Sequence, residues 1–184
     1  MGNDQIEQAI SRVIKALGDD ITRPGLKDTP KRVAKSLREL TSGQGMSPSD
    51  VVKDAIFPCE AQGMVLQRDI EFFSLCEHHM LPFFGKVHIA YLPHQRIIGL
   101  SKLGRIVDVF SKRLQVQENL THEISKSLID LLDPLGIAVV MEANHLCMMM
   151  RGVKKQGGLT VTSEYHGMFD RDEALKTHFL GAIK

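Results

Sequence analysis

Two stretches far apart in the chain constrain it most, because their chemistry only makes sense if the fold brings them together. Ser74-Leu75-Cys76-Glu77-His78-His79-Met80-Leu81-Pro82 carries a cysteine and a histidine three positions apart, a spacing that lets a thiolate and an imidazole close on one metal ion. His145-Leu146-Cys147-Met148-Met149-Met150-Arg151 supplies a second thiolate. If residues 144–151 are extended, side chains alternate faces, and His145, Cys147 and Arg151 project the same way. Cys76, His79 and Cys147 are then three protein ligands, one short of a closed tetrahedron, which is the pattern of a catalytic rather than a structural zinc. Thiolates favour zinc over magnesium or calcium. His78 and His145 stand beside the ligands, where an imidazole can move protons. Spacing alone does not decide between His78 and His79 as the ligand. His88, His94, His122, His166 and His178 are read as structural or surface residues, and Cys59, with no histidine or cysteine near it in sequence, as a bystander.

A chain of 184 residues is long enough for one domain with a true core plus a small appendage. No apolar run approaches the roughly 18 residues of a membrane span. The start, Met1-Gly2-Asn3-Asp4-Gln5, lacks the basic-then-apolar layout of a secretory leader, so the expectation is a cytoplasmic protein. Three cysteines make no even disulfide framework. Lysine plus arginine (23) nearly cancels aspartate plus glutamate (22), so a polyanion has to be met by a local cluster rather than a bulk field. That balance, together with two tyrosines and no tryptophan, argues against a nucleic-acid module of the zinc-knuckle kind.

The periodicity divides the chain into a helical prefix, 1–58, and a mixed domain, 59–184. Ile6, Ala9, Ile10, Val13, Ile14 and Leu17 fall at helical spacing before Gly18. Asp28-Thr29-Pro30 and Ser47-Pro48 are two further helix starts. Residues 64–75 and 84–92 read as strands, joined by a turn that sets Cys76 and His79 at its mouth. A helix capped by Ser101, a second from about Glu118, strands at about 137–150 and 159–166, and a last helix started by Asp170 complete the order strand, strand, helix, helix, strand, strand. Helices on one face of such a sheet form an α+β layer and leave the other face and the edges bare, so association into a ring or barrel is expected.

Ser101-Lys102-Leu103-Gly104-Arg105 opens a helix with two bases one turn apart, the layout of a phosphate site, although taken alone it is also an ordinary helix start. Arg151, followed by Lys154 and Lys155, adds bases near the metal stretch. Glu118 sits at a helix start favoured by the dipole, and a carboxylate there could equally accept two hydrogens from a base.

Taken together, Ser74 to His79, Gly99-Leu100-Ser101-Lys102, Arg113-Leu114-Gln115-Val116-Gln117-Glu118 and Glu142 to Gly152 closely resemble the GTP cyclohydrolase I family, with likeness from about Thr29-Pro30-Lys31-Arg32 to the carboxyl terminus. The resemblance implies a tunnelling fold whose subunits form five-membered rings, two of them stacked into a homodecamer with active sites at subunit boundaries. It implies conversion of GTP and water to 7,8-dihydroneopterin triphosphate and formate, the first step of tetrahydrofolate and pterin synthesis, with zinc on Cys76, His79 and Cys147 activating the water that adds at carbon 8. His145 would protonate nitrogen 7, and His78 would assist ring opening and loss of formate. Glu118 with the Gln117 backbone would grip the guanine edge. Lys102, Arg105 and Arg151, with Arg32 from the prefix, would bind the triphosphate, and Ser101 would lie near the ribose. A non-catalytic GTP- or pterin-binding member of the same fold is the alternative; retention of both His78 and His145 argues against it. The chain departs from the family pattern at Gly157-Gly158-Leu159 and at Glu164-Tyr165-His166.

Overall fold

The computed structural model describes residues 4–184, so Met1-Gly2-Asn3, which open the stretch read for a leader, lie outside the described residues. The chain forms two compact units that divide between Ser42 and Gly43, and the helical prefix of 1–58 therefore straddles that division. In the first unit, α1 (Gln5–Ala16) packs against α2 (Thr29–Leu40). Asp4 caps α1 by accepting from the Ile6 N–H, and its carboxylate also meets Arg38 at 2.6 Å. Arg38 first, then the backbone N–H, holds the Asp4 carboxyl below the usual range.

The second unit opens with α3 (Pro48–Val52), started by a capping box between Ser47 and Asp50, and then β1 (Ile56–Pro58). Two long strands follow, β2 (Val65–Cys76) and β3 (Pro82–Leu92), then the short β4 (Arg96–Ile98). Next come α4 (Leu100–Ser111), β5 (Leu114–Gln115), α5 (Gln117–Leu132), β6 (Gly136–His145), α6 (Leu146–Met149), β7 (Thr160–Gly167), α7 (Met168–Arg171) and α8 (Glu173–Ala182). β1 pairs with β4, and the main sheet has the order β5-β2-β3-β6-β7. All its pairs are antiparallel except β2 with β5. The molecule is thus a mixed α+β protein.

Strand alternation sorts the core onto two faces. Val87, Ile89 and Tyr91 of β3 and Ile137, Val139 and Met141 of β6 meet Leu103, Ile106 and Val107 of α4 and Leu120, Ile124 and Leu128 of α5. Their neighbours Ala90, Leu92, Ala138 and Val140 point the other way, where Phe169 and Phe179 cover one end of the sheet. Beyond those two rings the second face is open, and Phe73 and Phe84 stack there with centroids 5.8 Å apart, Phe73 being 61% exposed.

A β-bulge decides which β2 residues face the helices. Gln67 pairs with Ile89, but Ile70 pairs with Val87, so β2 carries one residue more than β3 between these points. Asp69 takes a left-handed backbone (φ 59°) there, and its N–H donates to Nδ1 of the buried His88 at 3.2 Å. The extra residue switches parity: after it, Phe72 and Cys76 join the helix-side core while Phe73 faces outward.

Three sequence expectations are corrected here. The strand expected to 150 ends at His145, and Leu146–Met149 form a helical turn. Phe83 is the partner of His145, so β3 offers no further ladder beyond that point, and Leu-Cys-Met-Met favours helix. The cap of α4 is Gly99, with Ser101 already inside the first turn. The cap of α8 is Asp172, which accepts from the Ala174 and Leu175 N–H groups, while Asp170 belongs to α7.

Candidate metal centre and its surroundings

Cys76 ends β2 on the helix side of the sheet, as the bulge requires. A tight turn follows: the Met80 N–H donates to the Cys76 carbonyl at 2.7 Å, the Cys76 N–H to the Leu81 carbonyl at 2.9 Å, and Met80 adopts φ 53°. The turn is anchored sideways, since the Glu77 N–H donates to the carbonyl of Gln115, the residue that pairs with Cys76. Cys147 arrives from the other side, because the chain folds into α6 where β6 runs out. One ligand atom each from Cys76, His79 and Cys147 lie within 4.8 Å of one another, and among the described residues no other His, Cys, Asp or Glu completes the group. Nδ1 of His78 lies 3.6 Å from the Cys76 sulfur and that of His79 4.0 Å, but only His79 is placed to share an ion with both cysteines. Burial pushes the Cys147 thiol up, and the Cys76 sulfur beside it adds to that, with Arg151 pulling the other way. Two crowded sulfurs with a neighbouring imidazole are a donor set that suits a soft divalent cation, which would hold both as thiolates.

His145, the last residue of β6, is not part of this trio. Its ring stacks on Phe83 at 4.8 Å with the planes 3° apart, and its Nε2 lies 2.7 Å from Oε1 of Gln117. Burial pushes its pKa down, with Glu118 partly offsetting. Gln117 is 1% exposed, and its Nε2 faces the carbonyls of Met141 and Thr160 and the hydroxyl of Thr162. Glu118, next along α5, is exposed in the first turn.

The expected phosphate residues are arranged less tightly. Lys102 donates to the Val51 carbonyl at 2.7 Å, while Ser101 and Arg105 are exposed on the first turns of α4. Arg151 is exposed just past α6. Arg32 lies on α2 in the other unit, 3.6 Å from Asp28. Sequence reasoning missed the Gln117 side chain and Phe83, because both reach His145 through strand register rather than through spacing in the chain.

The fold and the site together define a class: a mixed α+β protein with a Cys/His group at the end of a strand that could hold a metal ion. The sequence pattern of the GTP cyclohydrolase I family matches residues 6–184. The chain is 51% identical to GTP cyclohydrolase 1 of Synechococcus sp. (strain JA-3-3Ab) over 176 residues, 96% of this chain and 77% of that one. It is 50% identical to GTP cyclohydrolase 1 of Leptospira biflexa over 97% of this chain and 98% of that one. The protein of the same name from Porphyromonas gingivalis is 49% identical over 97% of this chain and 92% of that one. A solved structure, the archaeosine synthase QueF-Like in the apo form, is similar at a TM-score of 0.48 with 14% identity over 59% of this chain and 97% of that one, a likeness too slight to carry an argument. The chain belongs to the GTP cyclohydrolase I family.

Proposed function

We propose that this chain converts GTP and water to 7,8-dihydroneopterin triphosphate and formate, the first step of pterin and tetrahydrofolate synthesis, with zinc held by Cys76, His79 and Cys147. The observation that carries the reading is the open three-ligand group beside an imidazole whose position is fixed. Bound there, zinc supplies water made acidic enough to ionise near neutral pH, with a pKa lowered to about 7.

The chain's own residues do the rest. His145 carries the proton for nitrogen 7 of the guanine. His78, exposed on the turn after Cys76, serves proton movements as the ring opens and formate leaves. Glu118 and the Gln117 backbone hold the guanine edge, where a carboxylate can accept two hydrogens at once. Lys102, Arg105 and Arg151, with Arg32, neutralise the triphosphate, and Ser101 lies near the ribose. Lys102 exchanges its carbonyl partner for a phosphate oxygen when GTP binds, gaining a charge-assisted bond.

Ring assembly belongs to this reading. β5 pairs with only Leu75 and Cys76 of β2, so the rest of that strand's outer edge is unpaired in the main sheet, as is the outer edge of β7. A strand edge of that length is a template for another chain. Joining copies edge to edge closes a five-membered tunnelling-fold ring that turns the open face bearing Phe73 and Phe84 toward its interior, and two rings stack into a decamer. Among the described residues no helix is long and apolar enough to cross a membrane, and the cytoplasm is the proposed location.

Metal-loaded protein given GTP should release one formate per GTP and yield a product that fluoresces after oxidation and dephosphorylation. GTP bound but recovered intact would sink the catalytic reading and leave a binding protein.

A further inference from the structure

The Gln117 side chain has a task separate from its backbone. We propose that it is a positioning residue for His145, holding the imidazole as its Nε2–H tautomer so that Nδ1 is the atom left to exchange a proton with substrate. This rests on the reading of His145 as the group that protonates the guanine.

The hydrogens can be assigned one by one. The Gln117 nitrogen lies 3.2 Å from the Met141 carbonyl and 3.0 Å from the Thr160 carbonyl. Carbonyl oxygens only accept, so the NH2 must point at them; the reverse orientation would set oxygen against oxygen in a buried site. Thr162 supports the same assignment. The Thr121 hydroxyl donates to the backbone carbonyl of Gln117 at 2.8 Å, which leaves Thr162 to donate to Thr121 at 2.6 Å. With its proton committed there, the Thr162 oxygen accepts from the Gln117 NH2 at 3.2 Å. The circuit closes with the two amide hydrogens shared among three acceptors, the Met141 and Thr160 carbonyls and the Thr162 hydroxyl.

What remains of the amide is Oε1, which can only accept, and it faces His145 Nε2 at 2.7 Å. That nitrogen therefore carries a hydrogen. Phe83 fixes the plane of the ring, stacked at 4.8 Å and 3°, but a half-turn about the Cβ–Cγ bond would keep that plane while putting Cε1 where Nε2 stands and Cδ2 where Nδ1 stands. Gln117 selects between the two edges. It does so from a rigid place, tied to both β6 and β7, so the sheet itself aims the imidazole.

Two measurements on the zinc-loaded, assembled protein test this. Solid-state 15N spectra of histidine-labelled wild type, with the His145→Ala spectrum subtracted, should show a ring with hydrogen on Nε2. A ring with hydrogen on Nδ1 and none on Nε2 would overturn the proposal regardless of activity. The second is a cycle with Gln117→Met, which keeps the backbone and removes the amide. Because a catalytic group displaced by about 1 Å loses on the order of 100-fold, kcat should fall about 10- to 100-fold, with zinc content kept and KM for GTP changed by less than about threefold. In a His145→Ala background the same substitution should change kcat by less than about threefold, since residues acting through one another are not additive. A full, additive loss in that background would mean that Gln117 acts on its own. Wild-type protein with the Nε2–H ring that releases no formate would uphold the geometry and count against the functional reading alone.

Discussion

Cys147 and His145 are two positions apart in the chain, yet the work proposed for them differs. Cys147→Ser removes one of the three proposed metal ligands, and both bound zinc and turnover should be lost. His145→Ala should keep zinc by elemental analysis while turnover falls by about 100- to 10,000-fold, the range for a lost proton-transfer group; loss of zinc as well would make His145 a ligand. A third histidine, His88, reports on the fold instead. It is 2% exposed and held by the Asp69 N–H. Burial lowers its pKa, Asp69 and Glu142 partly offset this, and Lys86 and Arg68 add to the lowering. With its folded pKa depressed, the unfolded chain takes up the proton first, so its contribution to stability is complete above about pH 6.5 and is lost as pH falls below that value. The melting temperature should drop between pH 7.5 and 5.5, and His88→Gln, which can still accept from Asp69, should make that drop shallower. An unchanged slope would mean that His88 is not the buried neutral group described.

Elements place these side chains, and the β2 bulge does so with one residue. Deleting Asp69 removes the extra residue and leaves a regular β2–β3 ladder in which Ile70 still faces Val87, so every later β2 side chain keeps its face, Cys76 included. Such a variant should keep bound zinc with a folded sheet by circular dichroism; loss of zinc from an intact sheet would contradict this account of the bulge. The helices and strands themselves were largely legible in the sequence, because 3.6- and 2-residue periods survive in single stretches such as Leu103, Ile106, Val107 and Phe110. The bulge was not, since a lone Arg68-Asp69 in a strand carries no signal until its partner's register is known. The same limit hid the end of β6: residues 144–151 alternate well enough for a strand, and only the lack of a β3 partner past Phe83 stops them. Cys76 and His79 were visible through their three-residue spacing, and Cys147 as a second thiol two places from His145. Gln117 and Phe83 were not, being joined to His145 across three strands and a helix.

At the scale of the whole molecule, the unpaired edges of β2 and β7 and the open sheet face are what support the proposed ring assembly. Sedimentation velocity should give a species ten chains in size, and a 20.6 kDa monomer with full activity would contradict ring assembly. The residues proposed to meet the triphosphate and ribose fit this picture: Ser101, Lys102 and Arg105 make no hydrogen bond or ion pair with the Cys/His group among the described residues. Everything in the account turns on how many protein atoms hold the metal. Zinc-edge X-ray absorption on the loaded protein measures that directly. Two sulfurs near 2.3 Å and one imidazole nitrogen near 2.0 Å, as is typical of such bonds, with the remaining place taken by a light atom from solvent, is the result predicted. A shell of four protein ligands, or one with a single sulfur, would contradict it.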